Sequence, residues 1–473
     1  MIPSSDLPEG VRSALLGLLG EGALLTDAAQ REAYARDNSG NRFVPWAVAL
    51  PERRDQVAGA LRICHEAGIP VVPRGAGTGC VGGGLAVRGG LVLSTQRMNR
   101  ILAIEPGDRF AVVEPGVVNA ELGRRLAEHG LFWPPDPSSA RVCTIGGNLA
   151  MCSAGPNAVR YGVTRHWVLG MTVLLPDGSA MRVGGYTTKG VVGYDLTQLL
   201  IGSEGTLAVL VEAILKLAPV PEARRTLKAT FADMESAAQA VAGLMSRGEP
   251  PSALEFLDPA ALELVRGTLP AVCHPDGRAL LLIEVEGSHA GVDSQADALR
   301  VRLEGFSPLE VAVARDEAES KRIWAARYAL SPTLTRMAPK RINEDVVVPV
   351  TRLAELVAGL ARISEESGVP IVSFGHAGNG NIHVNLLTDP ADPALKARVA
   401  QALEQVFDLV LALRGTLSGE HGVGIMKRDF IDRELDPQSL RIQRAIKQLF
   451  DPKGILNPGK VFPEMPLNGE KYA

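Results

Sequence analysis

The chain has 473 residues, more than one hydrophobic core usually serves, so two or more domains are expected. Hydrophobic residues make up 46% and charged residues 22%, an ordinary globular balance, and the net charge of −4 gives no basic field for nucleic acid or anionic lipid. No apolar stretch approaches the roughly 18 residues of a membrane span, and Met1 to Gly10 has neither the basic start nor the apolar centre of a secretory signal.

In chain order, Asp55 to Gly68 reads as a helix with Val57, Ala60, Leu61 and Cys64 on one face and Gly68 as its stop. Ile69 to Pro73 is a short strand, followed by the glycine run Gly75 to Gly84 and a strand over Gly90 to Ser94. Phe110 to Val113 is a strand, Asn119 to His129 a helix with Asn119 as N-cap, and a further strand starts at Leu131. Val168 to Leu175 is an apolar strand ended by the turn Pro176-Asp177-Gly178, and Leu207 to Leu217 is another. Pro219 and Pro221 mark a domain boundary. Beyond it, strands at Leu227 to Phe231, Ala279 to Glu286 and Glu310 to Ala314 alternate with helices at Met234 to Ser246 and Asp316 to Arg336. A second set follows: strand Asp345 to Val348, helix Thr351 to Ser367, strands Pro370 to Phe374 and Ile382 to Leu386, and helix Pro393 to Leu413. This is the rhythm of an α+β domain with a mainly antiparallel sheet. Ser439 to Phe450 is a helix in the tail. Cys64, Cys80, Cys143, Cys152 and Cys273 are scattered, with no CxxC, which points to buried thiols in a reducing, cytoplasmic setting and no iron–sulfur ligation.

Gly77-Thr78-Gly79-Cys80-Val81-Gly82 fits G-x-G-x-x-G, but a dinucleotide fingerprint needs a helix opening inside the glycines. Here Gly83, Gly84 and Leu85 lead on to a strand. Pro73-Arg74-Gly75-Ala76-Gly77-Thr78-Gly79 suits a nest of backbone N–H groups that a pyrophosphate can approach closely. Further clusters follow at Pro137-Ser138-Ser139, Thr144 to Ala150, Gly155, Tyr161-Gly162 and Gly202 to Leu207. Together they resemble the FAD-binding (PCMH-type) domain of vanillyl-alcohol oxidase type flavoproteins. The resemblance implies that Pro73, Arg74, Gly75, Ala76, Gly77, Thr78 and Gly79 surround the pyrophosphate. It implies that Pro137, Ser138, Ser139, Gly146, Gly147, Asn148 and Ala150 line the flavin, with Gly155, Gly162, Glu204 and Gly205 as further contacts. Asn457-Pro458-Gly459-Lys460 also matches, implying a tail that folds back with Asn457 and Lys460 beside the cofactor. Arg74-Gly75 carries no histidine, so a noncovalent FAD is expected, with His166 and Cys143 in ordinary packing.

Of eight histidines, three fall in Gly375-His376-Ala377-Gly378-Asn379-Gly380-Asn381-Ile382-His383 and Ser418-Gly419-Glu420-His421-Gly422. Along a strand His383 and Asn385 point to one face. Two imidazoles and a carboxylate suit a divalent metal such as zinc with an open position. These glycine-flanked motifs resemble the FAD-linked D-lactate, glycolate and D-2-hydroxyglutarate dehydrogenases, by motif order from roughly Phe43 through Phe462. The resemblance implies His376, His383 and Glu420 as metal ligands, Asn385 beside them, His421 as base, and Arg327 in Trp324 to Ser331 as the holder of the substrate carboxylate.

A small D-2-hydroxy acid is the expected substrate, losing a proton to His421 and a hydride to the flavin. Relatives acting on longer dicarboxylates carry a lysine shortly before Asp-x-x-x-Pro; here Asn343 or Glu344 stands there, with Lys340 and Arg341 upstream. Glycolate or D-lactate therefore leads 2-hydroxyglutarate. A non-redox flavin enzyme and a non-catalytic FAD-binding subunit are the competing readings. The electron acceptor stays open among oxygen, quinone, cytochrome and an iron–sulfur partner subunit, and so does a homodimer. The expected fold class is α+β: a two-part FAD-binding domain over 1–220, a substrate (cap) domain over 221–415 carrying the metal site, and a C-terminal segment over 416–473 that completes the active site and returns to the FAD domain.

Overall fold

Leu91-Val92-Leu93-Ser94 is buried at every position, as a strand covered on both faces must be. In the computed structural model, which describes residues 6–463 apart from 268, 270, 271, 273 and 390, this run lies inside a four-stranded sheet. Cys273 lies outside the described residues, as do the first five residues. The chain divides into two units by its internal packing. The first unit takes the residues up to Ala154, Val163–Val220 and the chain from Glu420 onward. The second takes Gly155–Gly162 and Pro221–Gly419.

Among the described residues the first unit holds eleven strands in three sheets. They are β1 (Leu24–Leu25), β2 (Ala47–Ala49), β3 (Val71–Arg74), β4 (Leu91–Ser94), β5 (Ile101–Glu105), β6 (Phe110–Val113), β7 (Leu131–Phe132), β8 (Val168–Leu174), β9 (Ala180–Gly184), β10 (Val209–Lys216) and β11 (Ala218–Pro219). One sheet runs β1-β2-β4-β3, with β4 parallel to both β2 and β3. The helix Arg54–Ala67 buries Val57, Ala60, Leu61 and Cys64 against that sheet, and Gly68 stops it in the left-handed region. The second sheet, β5-β6-β10-β8-β9, is antiparallel throughout. The C-terminal tail returns to the first sheet: Val71 N donates to Ile455 O at 2.8 Å and Asn457 N to Val71 O at 2.8 Å, with Leu456 in the core.

The second unit is built on one antiparallel sheet of seven strands: β12 (Ala223–Phe231), β13 (Ala253–Leu257), β14 (Ala279–Gly287), β15 (Glu310–Val313), β16 (Lys340–Val347), β17 (Ile371–His376) and β18 (Asn381–Thr388). Their order is β15-β12-β14-β13-β17-β18-β16. The helix Glu317–Met337 lays Ile323, Ala326, Leu330 and Leu334 on one face, against Leu257, Leu282, Val372 and Phe374. The helices Met234–Met245 and Leu353–Ser367 pack on the other face around Phe256 and Leu281.

The expected α+β architecture with a mainly antiparallel sheet in the second half is what the molecule shows. Three local expectations need correction. Asn119 is the first helical residue of Asn119–Ala127, not its cap; Val118 holds the cap position, and Asn119 Nδ2 donates to Pro135 O at 3.2 Å. The strand expected from Asp345 starts at Lys340, because β16 is an edge strand and an edge tolerates polar side chains. Finally, β13 is central and buried throughout, although its run Ala-Leu-Glu-Phe-Leu is broken by a carboxylate and was not expected as a strand.

Gly380 turns the chain from β17 into β18 at φ +70°, and a Cβ there would sit 1.9 Å from Val348 O. Gly380→Ala is expected to destabilise the protein by about 2–4 kcal/mol, through strain and steric overlap together. Thermal or urea unfolding measures it; a stability within about 0.5 kcal/mol of wild type would contradict this backbone geometry.

Candidate active site

In the first unit β3 ends at Arg74, and no helix follows before β4. Arg74 is buried and closes the loop from inside: its Nη1 donates to Gly84 O at 3.2 Å and its Nη2 to Arg36 O at 2.7 Å. Burial lowers its pKa, with Asp37 and Tyr34 opposing. Gly77 has φ +74°, and a Cβ there would meet Arg74 Nη2 at 2.1 Å. The amides of Gly75, Ala76, Gly77, Thr78 and Gly79 donate to no acceptor among the described residues. Successive unspent N–H groups on a glycine loop form a concave anion site, which fits a pyrophosphate.

The segments Thr144 to Gly147, Glu204-Gly205 and Asn457 to Lys460 of this unit adjoin that loop. Thr144 caps the short helix Ile145–Met151 through Gly147 N, and its Oγ1 stands 2.5 Å from where a Cβ on Gly75 would lie. Ala150 O accepts Glu204 N at 2.9 Å, and Gly205 backs onto Pro73. Pro137, Ser138 and Ser139 form the turn before Cys143, where Pro137 O accepts Ala140 N at 2.8 Å. Glu204, at φ +53°, is buried and accepts Val423 N at 2.7 Å and Gly424 N at 2.8 Å. Burial raises its pKa against those two amides. Asn457 Nδ2 donates to Gly83 O at 2.8 Å and Glu204 O at 2.7 Å, and Lys460 Nζ donates to Leu85 O at 2.6 Å. Burial pushes Lys460 down to about 8 despite the Glu204 carboxylate. Asn457 and Lys460 thus spend these bonds on the carbonyls of the glycine loop and the Glu204 turn. Gly155 and Gly162 bound the short segment that belongs to the second unit, where Tyr161 hydrogen-bonds to Glu286.

In the second unit the strand register sets the chemistry. Leu257 faces Phe374 across β13 and β17, and Phe374 faces His383 across β17 and β18. Opposed residues and alternate residues share a face, so Glu255, His376, His383 and Asn385 all project from one side of the sheet. The His376 and His383 rings stand edge to face with centroids 5.2 Å apart, and each offers a ring nitrogen within 4.8 Å of the other's. Asn385 Nδ2 donates to Val372 O and His383 O, both at 3.1 Å, while its buried Oδ1 has no partner among the described residues.

Glu255 was not anticipated. It is 0% exposed, its Oε1 lies 2.5 Å from His376 Nδ1, and its Oε2 accepts Arg327 Nε at 2.6 Å. Burial pushes its pKa up, but His376 and Arg327 outweigh burial and hold it at about 2. An ionised carboxylate only accepts, so a neutral His376 in this contact carries its proton on Nδ1, and Nε2 is then the ring nitrogen with the lone pair that a cation needs. That donor chemistry fits a divalent metal. Arg327 rides on the helix Glu317–Met337, 4.6 Å over the Phe374 ring, and its hydrogen bond to Glu255 leaves the two Nη groups unspent among the described residues. In the sequence Glu255 is only a carboxylate interrupting an apolar run before Asp258, a pattern that by itself reads as an exposed position.

Asp345 lies opposite His383 in the ladder and is fully buried. Its Oδ1 accepts Asn381 Nδ2 at 2.6 Å and its Oδ2 accepts Gly419 N at 2.9 Å. Asn343 faces Asn385 across β16 and β18, and Arg341 Nη2 donates to Ser331 Oγ at 2.7 Å. Glu420 and His421 follow Gly419 and open the part of the chain that belongs to the first unit.

The sequence matches two families: "FAD binding domain" over residues 45–184 and "FAD linked oxidases, C-terminal domain" over residues 220–461. It is 37% identical to "Glycolate oxidase subunit GlcD" of Bacillus subtilis, covering 96% of this chain and 97% of that protein. It is 34% identical to "D-lactate dehydrogenase" of Anaerostipes hadrus, covering 86% and 87%. The solved structure of p-cresol methylhydroxylase, 18% identical, superposes with a TM-score of 0.78 over 96% of this chain and 97% of that one, showing a shared vanillyl-alcohol oxidase type fold. The chain belongs to the FAD-linked oxidases, and it is an FAD-dependent oxidoreductase.

Proposed function

We propose that the chain oxidises a small D-2-hydroxy acid, glycolate or D-lactate, to its 2-oxo acid. The observation that carries this reading is the cluster on one sheet face of the second unit: two buried imidazoles, a buried carboxylate on one of them, and an arginine with its Nη groups unspent. The two relatives above are named as a glycolate oxidase subunit and a D-lactate dehydrogenase.

When bound, FAD supplies a two-electron acceptor and a divalent cation supplies charge stabilisation for a developing alkoxide. The chain's residues do the rest. Gly75 to Gly79 present their amides to the pyrophosphate, with the segments around Ser138, Gly146 and Glu204 shaping the flavin end. His376, His383 and Glu420 are the proposed ligands, and Glu255 orients the His376 ring. Arg327 turns its Nη groups to the substrate carboxylate, a task suited to a planar fork. Asn385 offers to a donor on the substrate its Oδ1, which has no partner among the described residues. His421 accepts the hydroxyl proton on a ring nitrogen, since a neutral imidazole has the basicity for that at neutral pH. Asn343, a neutral side chain opposite Asn385, gives a second carboxylate no cation there, which favours a short monocarboxylate.

Three measurements test the reading. Acid precipitation of the holoenzyme is expected to release yellow FAD into the supernatant; flavin retained in the pellet contradicts noncovalent binding. His383→Ala is expected to lose bound metal and turnover together while FAD content stays at the wild-type level; full metal occupancy places the ligands elsewhere. His421→Ala is expected to keep fold and FAD, and to slow anaerobic reduction of the flavin by D-lactate or glycolate by about two to four orders of magnitude in stopped flow. A near wild-type rate removes His421 from the proton transfer.

A further inference from the structure

The buried carboxylate of Glu255 is committed at both ends. One oxygen meets the ring nitrogen of His376, and the other takes the Nε–H of Arg327. The side chain has no exposed surface, and β13 carries it at the centre of the sheet beside β17. Arg327 arrives from a different element, the helix Glu317–Met337, and is itself only 14% exposed in its side chain. So a single carboxylate bridges the residue proposed to bind the cation and the residue proposed to bind the substrate carboxylate.

We propose that Glu255 is a positioning residue that couples cation binding at His376 to anion binding at Arg327. The inference rests on the reading of His376 and Arg327 given above. Two donors, the Nδ1–H of His376 and the Nε–H of Arg327, converge on one acceptor group. Their demands are met only by a group with two acceptor oxygens and no donor, which is an ionised carboxylate. A glutamine of the same shape offers one acceptor and one donor. It can satisfy the arginine or the histidine, not both. If the imidazole is the loser it turns or changes tautomer, and the lone pair on Nε2 is lost to the cation. If the arginine is the loser, its guanidinium is freed to rotate over Phe374, and its Nη groups lose their fixed direction. In either case the partner that keeps its bond now donates to a neutral amide oxygen instead of a carboxylate, a hold about half as strong, so both ligands are affected through one side chain.

The test uses the FAD-loaded enzyme and two probes, zinc ion by chelator competition and oxalate, a small unoxidisable dicarboxylate, by calorimetry. Glu255→Gln is expected to keep FAD and to weaken zinc binding by about ten- to a hundredfold, the usual worth of a partner behind a metal-binding histidine. Oxalate is expected to weaken by about tenfold or more, the loss expected of a charge-assisted hydrogen bond. Glu255→Asp keeps two acceptor oxygens on a shorter arm and is expected to recover part of both. Glu255→Gln with wild-type affinity for both probes overturns the proposal, and so does loss of only one, since that removes the coupling. His383→Ala is the control. If it loses zinc while Glu255→Gln does not, the role of Glu255 fails and the proposed ligand set stands. If it keeps zinc in full, the ligand set itself fails, and this inference with it. Should the glutamine variant not fold, 15N spectra of histidine-labelled, metal-free wild type decide the matter. His376, assigned by its loss in His376→Gln, is expected with its proton on Nδ1, and a proton on Nε2 overturns the proposal.

Discussion

A carboxylate with no exposed surface survives in a sheet only if its charge is met where it lies, because the cost of burying it alone amounts to several kcal/mol. Glu255 meets that condition with His376 on one oxygen and Arg327 on the other. The condition is demanding on the fold. It requires β13 beside β17, the register that puts Leu257 opposite Phe374, and a helix whose Arg327 comes down over the same face. The apolar contacts of Leu257, Phe374, Leu330 and Leu334 hold that helix in place, so hydrophobic burial sets the geometry and the charges make use of it.

The first unit manages its polar backbone in two opposite ways. The amides of Val423 and Gly424 are filled by the Glu204 carboxylate, and the carbonyls of Gly83 and Leu85 by Asn457 and Lys460. The amides of Gly75 to Gly79 are left without an acceptor among the described residues. A loop whose other edges are pinned by buried side chains can hold such amides in a fixed array at little entropic cost on binding. The tail therefore serves the loop: Asn457 and Lys460 shape the carbonyl side while the amide side stays open to an anion.

Much of this was legible from the residues. The helix Arg54–Ala67 followed from its apolar spacing and Gly68, and the absence of a helix after Gly79 separated this loop from a nicotinamide site. The His376 and His383 pair was visible from glycine-flanked spacing, and the register then placed both on one face. Asn119 misled because a capping residue type can equally be the first helical residue when its side chain has another acceptor, here Pro135 O. Glu255 was not legible: a carboxylate inside an apolar run reads as exposed, and its partners lie 72 and 121 positions away in the chain.

The sequence by itself determined the local periods, the glycine positions where the backbone must turn or come close, and the residue types able to bind anion and cation. These depend on neighbours within a few residues, so local sterics and side-chain chemistry suffice. Only the tertiary structure decided that Glu255 sits between His376 and Arg327, that Glu204 serves the backbone of Val423 and Gly424, and that Asn385 Oδ1 has no partner among the described residues. Those pairings depend on strand order and register, which arise from the burial of whole faces and are not encoded in any one segment.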